Sequence, residues 1–243
     1  MSRITRERGN LHDRLVEKWG LEIVSGELPA GHSILTNPAA DELGVSRSVV
    51  REAVRVLESK GLVRVRRRVG ITVETSTNWS SLDSDIIRWN LAGPDRFTHL
   101  DHLCSLRTAI EPLAAQLAAT AATPEQCGLL TEAVIGMSKT ARSADTDAYL
   151  EHDAEFHRIL LQASGNPLFG ALSDVVIEML AGRTRHGLMP QVAATSAVQL
   201  HGEVAASVQA GDGAVARKAM QGILDETETA LHLASGTELP SSG

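Results

Sequence analysis

A mainly α-helical protein in two folded units, the first small and carrying a β-hairpin, the second an all-helical bundle, is what the sequence predicts, on three observations. At 243 residues the chain is longer than one ordinary domain. Aromatic residues are only 3% of the chain while Ala and Leu are abundant, and β-branched alternation is confined to residues 62–73, so most packing must come from helical aliphatic ridges. Charge is unevenly shared: residues 1–75 hold 13 Lys and Arg against 10 Asp and Glu, and the remainder holds 10 against 20. The net charge of −7 therefore hides a basic N-terminal segment.

The elements follow in order. Leu11, Leu15, Trp19, Ile23 and Val24 form the one-sided stripe of a first helix, stopped by Gly26 and Pro29. Asn37 and Pro38 read as the N-cap and first-turn proline of a short second helix ending at Leu43, with Gly44 opening a tight turn. Ser46 caps a third helix whose buried stripe is Val49, Val50, Ala53, Val54 and Leu57 and which stops at Gly61. Leu62 to Val73 then alternate around Arg66, Arg67, Arg68 and Gly70 as a hairpin. This order is that of a winged helix-turn-helix over residues 1–75. Residues 76–94 read as a linker and connecting helix. From 95 to 234 segments apolar at i, i+3, i+4 and i+7, bounded by Gly, Pro, Asp or Asn, predict a bundle of six or seven helices, and residues 235–243 a frayed tail.

Composition narrows the function. Cys104 and Cys127 stand in no thiolate metal spacing and read as small core residues. No run approaches the roughly 20 apolar residues of a membrane span, nor does the N-terminus read as a secretory signal, so a cytoplasmic protein with no membrane partner is expected. On the third helix Arg47, Ser48, Arg51 and Arg55 face outward, with Ser46 at its start. There the helix N-terminus suits a phosphate and Arg a guanine edge, although Arg47, Arg51 and Arg55 could equally solvate a helix that also carries Glu52 and Glu58. The order of helices, basic helix and basic hairpin favours double-stranded DNA.

In the second unit Asp153 and His157, at i and i+4, can face one point. That spacing suits either half of a divalent-metal site or a hydrogen-bonded couple, with His201 available as a third ligand if the bundle folds it inward. Arg107 and Glu111 are likewise either an i, i+4 salt bridge or a carboxylate-binding arginine with its neighbour. His186, with Arg183 and Arg185, in GRTRHG is a further candidate for the same anion-binding role, but solvated helix-end charge is the preferred reading there.

The stretch ADELGVSRSVVREAVRVLESKGLVRVRRRVGITV resembles the DNA-binding domain of the GntR family. That resemblance places Ser46, Arg47, Ser48, Arg51, Arg67 and Arg68 at the operator, and departs at Thr36 and Asn37, where the family carries an acidic residue and often an Arg. SLRTAIEPLAAQLAA, DAEFHRILLQASGNP and LHGEVAASVQAGDGAVARKAM resemble the FadR-type subgroup, whose effector domain is named FCD. The resemblance implies metal ligands at Asp153, His157 and His201, with Zn or a similar divalent ion. It also implies a fourth His where this chain has Ile223, and an effector cavity faced by Arg107, Asp153, His157 and His201. NWSSLDSDIIRWNL is similar to regulators of sugar-acid catabolism. The expectation is a homodimeric, sequence-specific repressor of an aldonate operon, released by a small carboxylate, and not an enzyme. A hydrolase or lyase using Asp153, His157 and His201, and a DNA-binding protein that senses nothing, are the alternatives.

Overall fold

The computed structural model describes residues 3–66, 70–143, 145–188 and 195–236. It separates into two compact units, residues 1–96 and 97–243.

In the first unit α1 (Arg3–Val24) is followed by β1 (Ser33–Ile34), α2 (Thr36–Leu43), α3 (Arg47–Ser59), β2 (Val63–Arg66), β3 (Gly70–Val73) and α4 (Ser84–Ala92). Ser46 caps α3 as its sequence requires, its hydroxyl accepting from Val49 N at 3.3 Å. Gly44 closes α2 in the left-handed region at φ 62°. Helix α2 begins one residue before the expected cap, and the position preceding it is Leu35, whose side chain makes no cap. The hairpin is joined by a third strand that the sequence did not announce. β1 pairs antiparallel with β3 through Ser33–Thr72 and Ile34–Ile71, giving the order β1-β3-β2. Arg67, Arg68 and Val69 lie outside the described residues.

The stretch read as linker and connecting helix is folded onto this first unit. Trp79 packs against its core, which also takes in Ile86 and Trp89 of α4. Lys60 reaches Asp83 and Asp85, each at 2.8 Å, and Arg88 reaches Glu17 at 2.6 Å. Two glycines permit this closure. A side chain at Gly61 (φ +78°) would stand 2.1 Å from the Asn78 carbonyl oxygen, and one at Gly20 would stand 2.5 Å from the buried Trp89 ring. Gly20→Ala should therefore force α1 and α4 apart and cost about 1–3 kcal/mol. The check is a thermal melt against wild type, and an unchanged midpoint would show that the contact gives way freely.

The second unit is helical throughout its described residues: α5 (Arg96–Ala121, whose first residue falls in the first unit), α6 (Pro124–Ser143), α7 (Thr146–Ala163), α8 (Pro167–Ala171), α9 (Ser173–Arg185), α10 (Thr195–Ala210) and α11 (Gly213–Ser235). The short α8 and the longer α9 are divided at Leu172. Polar side chains cap the starts: Asp145, Asn166 and Asp212 accept from backbone N–H groups, and Thr123 and Gln126 form a reciprocal capping box before α6. Helix α7 packs against α6 and α9 and is buried on several sides, with Phe156 and Leu160 in the main core and Leu161 in a smaller cluster with Val176 and Leu180. Cys104 is buried, whereas Cys127 is only half-buried at the edge of the main core.

Candidate functional site

Two surfaces carry the chemistry, one in each unit. On α3 the apolar stripe turns inward and leaves Ser46, Arg47, Ser48 and Arg51 exposed. Arg55 is held by Glu52 at 2.7 Å, but among the described residues neither Arg47 nor Arg51 forms an ion pair. Two uncommitted guanidiniums one turn apart beside a helix N-terminus can reach a base edge and a phosphate without first breaking an internal contact. Glu58 ties α3 to the hairpin by accepting from Val65 N at 2.8 Å.

In the second unit the helices bring Arg107, Asp153, His157 and His201 together around a cavity of about 450 Å³, in the size range of small-molecule sites. All four are buried, with exposures of 1%, 5%, 1% and 3%. Arg107 and Glu111 form a buried pair, Nε to Oε1 at 2.5 Å and Nη2 to Oε2 at 3.2 Å, so the salt bridge considered from their spacing is present. Burial alone would raise the Glu111 pKa, but the Arg107 and His157 charges hold it down at about 2. The carboxylate is thus ionised, and its Oε2 lies 2.7 Å from His157 Nδ1. Burial opposes a charge on His157, yet the Glu111 carboxylate raises its pKa overall.

This geometry decides which nitrogens are available. With Nδ1 of His157 turned to Glu111, its Nε2 lies 3.5 Å from Asp153 Oδ1 and 3.2 Å from Arg107 Nη2. His201 Nδ1 lies 2.7 Å from the Ala197 carbonyl, which can only accept, so Nδ1 carries the proton. Its Nε2 lone pair is buried without a hydrogen-bond partner and sits 3.2 Å from Asp153 Oδ1. Two acceptors facing each other require a cation between them or a proton on the ring. One ligand atom from each of Asp153, His157 and His201 lies within 4.8 Å of the others. The donor set, the orphaned Nε2 and the Glu111 support behind His157 all fit a divalent metal. Ile223, where the resemblance expects a fourth imidazole, lines the same cavity and supplies no ligand.

The GRTRHG cluster divides between its two readings. Arg183, for which the sequence favours solvated charge, is 6% exposed and lines the cavity, while Arg185 is the exposed member and pairs with Glu178 at 3.2 Å.

Comparison with known proteins agrees with both halves. The model described as bacterial regulatory proteins, gntR family, matches residues 11–73, and that described as FCD domain matches residues 102–226. The chain is 29% identical over 219 residues to the uncharacterized HTH-type transcriptional regulator YieP of Escherichia coli (strain K12), covering 88% of this chain and 93% of that protein. It is 29% identical over 168 residues to the galactonate operon transcriptional repressor of the same organism, covering 69% and 72%. Among solved structures, E. coli McbR/YncC shares the fold, with a TM-score of 0.54 at 18% identity over 93% of this chain and 98% of that one. These relatives are transcription regulators and not enzymes, which removes the hydrolase alternative. Among the described residues no helix is long and apolar enough to cross a membrane. The chain belongs to the gntR family of bacterial transcription regulators, with a DNA-binding domain of that family followed by an FCD domain.

Proposed function

We propose that this regulator represses a sugar-acid catabolic operon and is released by a small carboxylate, an aldonate, bound in the cavity of its helical unit. The observation that carries the reading is that cavity: about 450 Å³, apolar over much of its wall but with the buried Arg107, Asp153, His157, Arg183 and His201 converging on it, the few placed polar groups that would orient a small acid. Similarity to a galactonate operon repressor supports the same class.

The protein acts as a homodimer in the cytoplasm, its two α3 helices entering successive major grooves of a pseudo-palindromic operator. Ser46, Arg47, Ser48 and Arg51 contact DNA there, and Arg67 and Arg68, between β2 and β3 in the sequence, add to them. Asp153, His157 and His201 would hold a divalent ion such as zinc, which supplies a Lewis-acidic point for effector oxygens. Such an ion would draw on the Nε2 lone pair of His157, and Glu111 keeps both that ring and the Arg107 guanidinium in place at the cavity wall. The acid changes operator affinity only through its different affinities for the DNA-bound and free states.

Mobility shift on the protein's own upstream DNA, with and without a panel of aldonates and small carboxylates, tests this. Specific binding relieved by one acid is expected, and no sequence-specific shift at moderate salt would overturn the regulator role. In the same assay Arg51→Ala should weaken operator binding by about 1–3 kcal/mol and relax the base preference at one position. A loss equal for operator and random DNA would make Arg51 a phosphate contact instead.

A further inference from the structure

The charges lining the cavity do not all balance. Arg107 is matched by Glu111 through two hydrogen bonds, and Asp153 lies between His157 and His201. Arg183 on α9 is left over. It is 6% exposed, and among the described residues no carboxylate oxygen comes within 4.0 Å of its nitrogens. Its Nη1 donates to the Thr227 hydroxyl at 3.3 Å, a neutral partner whose own proton goes to the Ile223 carbonyl at 3.0 Å, and its buried Nε has no partner. Asp225 and Glu226 line the same cavity but make no ion pair with it.

We propose that Arg183 is the anion anchor of the effector cavity. On this reading the carboxylate of a hydroxy acid docks on the Arg183 guanidinium beside Thr227, which directs the hydroxyl-bearing end toward Asp153, His157 and His201. Arg107 cannot serve as well, because its fork is already closed by Glu111. Burial and the nearby Arg107 cation both push the Arg183 pKa below the ordinary arginine value, as expected of a cation short of an anionic partner. A guanidinium buried beside one hydroxyl destabilises the empty protein, a cost that proteins tolerate where a ligand later supplies the missing charge.

The inference rests on the sensor reading above, and the experiment separates the two. Full-length wild type, Arg183→Met and Arg183→Lys are melted alone and with D-galactonate, D-gluconate, inorganic phosphate and the neutral polyol galactitol. The acids should raise the wild-type midpoint and galactitol should not. Arg183→Met alone should melt at or above wild type, and its acid affinity should fall about tenfold or more. Arg183→Lys, which keeps the charge and loses the fork, should retain part of the response. If Arg183→Met alone melts several degrees below wild type, the arginine is a structural tether to Thr227 and the proposal is overturned. Undiminished protection of Arg183→Met by the acids removes the anchor and leaves the sensor reading standing. Protection by phosphate alone removes the carboxylate assignment. Failure of every acid to protect wild type removes the sensor reading, and the anchor with it.

Discussion

Arg107→Met should destabilise the helical unit by about 3–5 kcal/mol, the cost of stranding one member of a buried ion pair. Glu111 has no solvent exposure, and its two closest cationic neighbours are Arg107 and His157. Without the guanidinium, the carboxylate must either lean on His157 alone or take up a proton, and either response disturbs the ring that faces Asp153. The double variant Arg107→Met with Glu111→Leu removes both charges and should recover much of the loss, since a buried pair contributes little over apolar residues of similar volume. Urea unfolding of the four proteins of this cycle measures the coupling. A single-variant loss below about 1 kcal/mol would mean that Glu111 behaves like a surface salt-bridge partner, contrary to its burial.

That pair also shows what could be read from the chain. Arg107 follows Leu100 by seven positions and Cys104 by three, and precedes Glu111 by four and Ala114 by seven, all buried on α5. A charged residue on an apolar stripe either lines a cavity or pairs in the core, and here it does both. The same test, applied to GRTRHG, singles out Arg183 from its neighbours: it stands three, four, seven and eight positions after Leu180, Met179, Val176 and Val175, all buried. Preferring a helix end, where basic side chains ordinarily meet water, over a pocket for the whole cluster ranks Arg183 too low. Arg185, two residues on, has turned to the exposed side. The third helix was legible because cap, stripe and stop agree along a dozen residues. Strand β1 was not, because two residues carry no periodicity and their place is set by pairing with β3 some forty positions away. The helix at 84–92 was visible as a helix, but its attachment to α1 depends on Gly20 admitting the Trp89 ring, a contact between distant positions that no local pattern announces. The orphaned His201 nitrogen likewise comes from the fold, because the Ala197 carbonyl assigns the tautomer.

Ile223→His should turn the three-ligand cluster into a four-ligand one and tighten zinc binding by more than about 100-fold. Even groups that only support a metal ligand contribute 10–100-fold, and an added imidazole in direct contact should exceed them. Ile223 is 5% exposed on α11 and borders the cavity shared with Asp153, His157 and His201, so the replacement side chain enters the same space. The stability effect should change sign with metal. Without it, the variant exchanges a well-packed aliphatic group for a buried imidazole lacking a partner, at a cost of about 1–3 kcal/mol. With zinc in excess, the tighter binding is returned as folding stability, and the variant should melt above wild type under the same conditions. Competition against a chromogenic chelator gives the affinities and paired melts give the crossing. If zinc is held equally by both proteins, position 223 does not address the ligand cluster. If wild type holds none and the variant does, the natural chain has given up its metal, and the Asp153–His201 contact is closed by a proton instead.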